Sequence, residues 1–236
     1  LVKNARRNTR RNKPRSEQSY TRKKVPELVG QTRRQWDYID ALTQEDLIFC
    51  IGYAGTGKTY VSATAATQLY LERKIQKIVI TRPNVASGKG IGFFPGTLHE
   101  KMSPWVAPIV DVLVKHMGKP AVDIMLKHGD LVIEPFETLR GKSFESSFVL
   151  LDEAQNCTYE QLKMFLTRLG DGSKTVINGD VMQTDLSHNS GLSQILKINK
   201  DQGLPFPIIE FQEEDIVRSD ICATWIKAFG KSEKNR

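Results

Sequence analysis

Residues 52–59 read Gly52-Tyr53-Ala54-Gly55-Thr56-Gly57-Lys58-Thr59. They follow the apolar run Leu47-Ile48-Phe49-Cys50-Ile51 and lead into an alanine-rich helical stretch. Strand, glycine-rich loop and helix in that order are the setting a phosphate-binding P-loop requires. The glycines let the backbone curl until successive N–H groups point at phosphate oxygens, and the helix adds its positive N-terminal end. In this pattern Lys58 reaches the β- and γ-phosphates and the Thr59 hydroxyl ligates Mg²⁺. Gly52, Tyr53, Ala54, Gly55, Thr56, Gly57 and Tyr60 complete the expected nucleotide cradle. ATP and Mg²⁺ are therefore the expected cofactors.

On either side of this loop the chain alternates apolar runs with helical periods, the mark of a mainly parallel sheet covered by helices on both faces. Strands are predicted at Leu47–Ile51, Lys77–Thr81, Leu131–Glu134, Phe148–Leu151, Thr175–Asn178 and Ile208–Phe211. Helices are predicted at Lys58–Glu72, Ser103–His116, Thr158–Leu169, Leu192–Ile198 and Ile216–Phe229. Thr158-Tyr159-Glu160-Gln161 matches a capping box. At 236 residues the chain has length for one full α/β domain and little for a second. It begins at Leu1, as a trimmed or processed chain would. Residues 1–24 carry ten Lys/Arg and one acid, Glu17, whereas the other residues carry 24 basic and 26 acidic side chains. The positive charge thus belongs to the first segment, read as a disordered basic arm (1–24) ahead of one domain (25–236). Such an arm grips nucleic-acid phosphates or merely aids solubility. The absence of an 18-residue apolar run argues against a membrane span. Cys50, Cys157 and Cys222 lack metal or disulfide spacing and fit a reducing cytoplasm.

A P-loop alone binds phosphate; hydrolysis also needs a carboxylate for the metal and a group that activates water. Phe148-Val149-Leu150-Leu151-Asp152-Glu153 supplies both at the C-terminal end of a buried strand, where open α/β sheets place ligands. Asp152 is read as a metal ligand and Glu153 as the residue that orients or deprotonates water. Two predicted strands intervene before Asp152-Glu153, the build of RecA-like and helicase-like ATPases. A GTPase is disfavoured, because Asn199-Lys200-Asp201 has the wrong spacing for guanine recognition. After the next strand, Asn178-Gly179-Asp180-Val181-Met182-Gln183 would sit beside the γ-phosphate or form a plain turn. Arg168 and Arg218 are candidates for stabilising transition-state charge, in cis or from a neighbour, or are surface arginines. Gln35 stands where it could read an adenine edge, or is ordinary helix surface. The loop around Phe93-Phe94 could stack unpaired bases, or pack in a core or interface.

Taken together, the motifs resemble the PhoH family of P-loop ATPases from bacteria and their phages. They are the P-loop, Thr81-Arg82-Pro83, Gly92-Phe93-Phe94-Pro95-Gly96, Leu139-Arg140-Gly141-Lys142-Ser143-Phe144, Asp152-Glu153-Ala154-Gln155-Asn156, Lys163 to Arg168, Gly179-Asp180 with Gln183 and Asp185, Ser190-Gly191-Leu192, and Asp215-Ile216-Val217-Arg218. The resemblance spans about Gln31 to Phe229. It implies a single RecA-like domain related to superfamily 1 helicases, with ATPase activity and a link to RNA. By it, Gln183 matches the motif that couples γ-phosphate to nucleic acid, Arg82 lies near the nucleic-acid path, and Arg168 and Arg218 match two family arginines. Lys89, Ser219 and Tyr53 depart from the usual Glu, His and Pro. The Lys89 change bears on substrate choice. Some relatives carry a fused PIN-type nuclease, for which this chain has no room.

The expected activity is ATP hydrolysis coupled to nucleic acid, with single-stranded RNA favoured. Because one RecA-like domain cannot close on a second, a homo-oligomer is expected, a hexameric ring being one form. The alternatives are an ATP-switched binding or scaffold protein that hydrolyses slowly without translocating, and a small-molecule kinase.

Overall fold

The computed structural model describes residues 27–83, 98–180 and 190–234. The basic segment 1–24, the Phe93-Phe94 loop with Lys89, and Gln183 and Asp185 lie outside the described residues.

Six strands form one sheet: β1 (Leu47–Gly52), β2 (Lys77–Arg82), β3 (Leu131–Pro135), β4 (Ser147–Leu151), β5 (Lys174–Gly179) and β6 (Ile208–Phe211). Their order is β3-β2-β4-β5-β1-β6, and every pairing is parallel. All six predicted strands are present. β5 lies between β1, which feeds the P-loop, and β4, which ends at Asp152-Glu153. That inserted strand is the RecA-like arrangement.

Successive side chains of a strand point to opposite faces, so an apolar run is buried on both. Ile48 and Cys50 of β1, with Phe148 and Leu150 of β4, enter one core layer. This layer is covered by α1 (Arg33–Gln44), α2 (Lys58–Leu71), α3 (Leu98–Met117) and α4 (Lys119–His128). Leu47, Phe49 and Ile51, with Val149 and Leu151, enter the other, under α5 (Tyr159–Leu166) and α6 (Gly191–Asp201). α7 (Asp220–Lys234) follows β6. No described helix is long and apolar enough to cross a membrane.

Two helices, α1 and α4, were absent from the sequence reading; α5 ends earlier than predicted and α7 starts later. α1 buries Gln35, Tyr38, Ala41 and Leu42, a face whose polar member breaks the apolar period. α4 is short and relies on local signals, with Pro120 in its first turn and Gly129 as a left-handed C-cap. α5 has the predicted capping box but stops at Leu166. Beyond it, Phe144 N–H donates to Arg168 O at 3.3 Å, and Gly170 N–H donates to Phe144 O at 2.8 Å. The segment leading to β4 thus takes over these backbone groups. α7 begins at Asp220 instead of Ile216, because Val217 N–H donates to Gly55 O at 3.0 Å and pins that segment to the P-loop.

β1 leaves the sheet at Gly52, where φ is +114° and a Cβ would stand 2.0 Å from Phe211 O. Only glycine fits there. We expect Gly52→Ala to cost about 2–5 kcal/mol from backbone strain and overpacking. That corresponds to a melting temperature lower by about 4–20 °C, checked by thermal denaturation.

Candidate nucleotide site

At the C-terminal edge of the sheet the P-loop closes one side of a cleft of about 610 Å³, within the size range of small-ligand sites. Gly57, in the left-handed region at φ +86°, is the N-cap of α2. The first N–H groups of α2 therefore face the cleft with its positive helix end, as an anion site requires. Lys58 Nζ donates to Gly52 O at 2.6 Å and Tyr53 O at 2.7 Å. Its folded-back side chain caps the loop that it would leave to reach a phosphate. Burial lowers the Lys58 pKa, while Cys50, Asp180, Asp152 and Glu153 oppose that shift.

Across the cleft, the Thr59 hydroxyl approaches Asp152 Oδ1 at 3.4 Å, although the two residues lie 93 positions apart in sequence. A hydroxyl and a carboxylate are hard oxygen donors of the kind Mg²⁺ takes when phosphates and waters supply its other ligands. Among the described residues no group of three or more His, Cys, Asp or Glu could hold a metal. The two-donor set thus fits an ion that arrives with a phosphate. Burial, then the charge of Glu153, raises the Asp152 pKa, whereas Arg82, Asn178 and Lys58 lower it. The Asn178 amide is buried at the end of β5 and lines the cleft beside the Asp152 carboxylate, whose ionised form it favours.

Glu153 adopts φ 56° and ψ 39°, a left-handed conformation rare for a residue with a Cβ. Gln155 Nε2 donates to Glu153 Oε2 at 2.5 Å, and Arg82 Nη2 lies 3.7 Å from Oε1. Gln155 Oε1 in turn accepts from Asp180 N–H at 3.0 Å.

The fold brings Lys58, Thr59, Tyr60, Asp152, Glu153, Gln35 and Arg218 together in this cleft. Arg218 reaches it in cis: a Cβ at Gly55 would lie 2.9 Å from its Cγ. Arg168 does not reach it. It follows α5, its Nη1 donates to Met164 O at 2.8 Å, and its backbone joins the segment entering β4, at the opposite edge of the sheet. Of the two placements open for Arg168, in cis or from a neighbour, its position at the far edge of the sheet does not favour the first.

Gln35 takes a different part from the one its position suggested. Its Nε2 donates to Thr56 O at 2.9 Å, and its Oε1 accepts from Gln31 N–H at 2.8 Å. The buried amide braces the P-loop in place of presenting a free edge to a base. Tyr60 stands on the rim with Lys115 Nζ 5.0 Å from its ring centre. Gln155, Lys115 and the Arg82–Glu153 pair escaped the sequence reading. Proximity of Gln155 to Glu153 was the only available signal, because the other partners are long-range.

The PhoH-like protein family model matches residues 27–230. The chain belongs to the PhoH-like family. It is 39% identical over 207 residues to a PhoH-like protein of Synechocystis, covering 86% of this chain and 62% of that one. It is 38% identical over 206 residues to Protein PhoH of Escherichia coli K12, covering 86% and 58%, and 40% identical over 203 residues to a PhoH-like protein of Bacillus subtilis, covering 85% and 63%. The chain thus spans about three fifths of the length of these relatives. Solved structures it resembles include the Sulfolobus solfataricus SWI2/SNF2 ATPase core in complex with dsDNA, at TM-score 0.43 and 15% identity over 66% of this chain and 34% of that one. Another is the Candida albicans Pif1 helicase, at TM-score 0.34 and 17% identity over 66% and 33%. Both scores are too low to carry more than a general likeness.

The raised Asp152 pKa gives a stability prediction for this PhoH-like domain. Below the ordinary value of 3.8 the group is protonated in both folded and unfolded chains, and no penalty exists. As pH rises through its raised folded value the ionised carboxylate weakens the fold. Asp152→Asn should therefore raise the melting temperature at pH 7 relative to the wild type, and the difference should vanish below pH 3.8. It should also abolish the Mg²⁺-dependent part of nucleotide binding. Calorimetry at pH 7 and titration with and without Mg²⁺ check the two halves.

Proposed function

We propose that this chain is a Mg²⁺-dependent ATPase that binds and remodels nucleic acid, single-stranded RNA in particular, as a homo-oligomer in the cytoplasm. The observation that carries the ATPase reading is the convergence of Lys58, Thr59, Asp152 and Glu153 in one cleft at the end of α2. Lys58 and the first N–H groups of α2 would hold the β- and γ-phosphates. Thr59 and Asp152 would hold the metal, which neutralises developing phosphate charge. Glu153 would orient the attacking water, and Arg218 would meet the phosphates in cis. Asn178 and Asp180, with Gln183 following, would register the γ-phosphate. The nucleic-acid reading is supported by the basic segment 1–24 and by the family resemblance.

The place of Arg168 supports an oligomer in a specific way. From there it would serve catalysis at a neighbour's site, and a head-to-tail ring would present the far edge of one sheet to the cleft of the next. A second reading, a slow ATP-driven switch without translocation, is favoured by one observation. Both carboxylate oxygens of Glu153 have partners, which suits low basal turnover.

Phosphate release from ATP, measured with and without single-stranded RNA alongside native mass, separates these readings. Stimulation by RNA in a discrete oligomer is expected; a rate flat across RNA concentrations favours the switch. Turnover of ATP without free phosphate would indicate a kinase. Mixing Glu153→Gln and Arg168→Ala chains should recover part of the activity that each lacks alone. Intact mixed oligomers with no recovery would refute shared sites. Deleting residues 1–24 should weaken RNA binding and flatten its salt dependence, read by fluorescence anisotropy across a salt series.

A further inference from the structure

We propose that Arg82 is a latch on Glu153, holding it back from the attacking water until a phosphodiester strand takes the guanidinium, so that strand binding releases hydrolysis. The inference rests on the ATPase reading above and names how that site is regulated.

The strand order carries it. β4 lies between β2 and β5, and β1 with its P-loop lies beyond β5. Arg82, the last residue of β2, therefore draws Glu153 to the side of β4 away from the P-loop. Gln155 holds the other oxygen and is itself fixed by Asp180 N–H at the end of β5. Of the two holds, only Arg82 carries a charge for which an anion could compete.

Arg82 is built to be captured. Its Nη1 donates to Trp105 O of α3 at 3.3 Å, which sets the guanidinium plane, and its side chain is 30% exposed. The planar fork of donors matches the paired oxygens of a phosphodiester. The ion pair with Glu153 is long, at 3.7 Å, and both members are reachable by water. Exposed pairs of this kind shift equilibria by only about 1.4- to 5-fold. The latch is weak enough for a strand held elsewhere on the protein to open it. Arg82 acts through Glu153 and is a positioning residue.

The test compares the full chain with its Arg82→Ala and Arg82→Lys variants, by ATP turnover with Mg²⁺ alone, with oligo(U), and with inorganic polyphosphate of matched charge. Melting temperature reports folding. Arg82→Ala should raise basal kcat by about 1.4- to 5-fold, leave KM for ATP nearly unchanged, and no longer respond to oligo(U). Arg82→Lys, which keeps the charge without the fork, should fall between it and the wild type. An unchanged or lowered basal kcat in a folded Arg82→Ala protein overturns the latch, because a merely structural arginine could only lower the rate. Polyphosphate stimulating the wild type as strongly as oligo(U) overturns the strand as the occupant. Failure of the ATPase reading is distinguishable: the wild type would then release no phosphate under any condition, whereas a failed latch leaves wild-type turnover intact.

Discussion

The departure of β1 from the sheet at Gly52 is the constraint on which the site depends. β6 runs beside β1 so closely that a single added carbon would stand inside the carbonyl of Phe211. That contact fixes where the P-loop begins. Val217, shortly after β6, then donates to Gly55, and Gln35 of α1 donates to Thr56. Three elements distant in sequence thus hold the backbone of the loop before any ligand is present. Preorganisation of this kind avoids the cost of ordering a glycine-rich segment when a phosphate binds.

The second constraint is electrostatic. Asp152 and Glu153 are consecutive carboxylates at one strand end, with Asp180 at another. Burial and their mutual repulsion both oppose ionisation of Asp152. Lys58 and Arg82 offset this with positive charge. The site is consequently poised for a further cation, because a metal at Thr59 and Asp152 would relieve the same repulsion. The structural penalty and the binding capacity have one origin.

What the sequence made legible follows from the range of each interaction. The six strands are legible because burial on both faces yields uninterrupted apolar runs such as Phe148–Leu151, and the P-loop because its glycines are required by local geometry. Helix ends were less legible: Arg168 and Gly170 give their backbone groups to Phe144, a partner more than 20 positions away. The bracing role of Gln35 was hidden for the same reason. A buried glutamine on a helix looks like an exposed one until its partner at Thr56 is known. Arg168 and Arg218 were equivalent as isolated arginines, and only the sheet separates them, one beside the P-loop and the other at the far edge.

Sheet order also explains why regulation would converge on Glu153. The nucleotide side of the site is carried by β1 and β5, and Arg82 by β2. Among the described residues, β4 is the strand that touches both β5 and β2. A residue at its end can therefore be held from one side by the Gln155–Asp180 link and from the other by Arg82, with no long relay between them. Asp152, one residue earlier, faces the Thr59 hydroxyl and cannot move without losing that contact. Glu153 lies past the end of the strand, in a backbone conformation that the sheet does not enforce. It is the one carboxylate of the pair whose position can change while the cleft stays built.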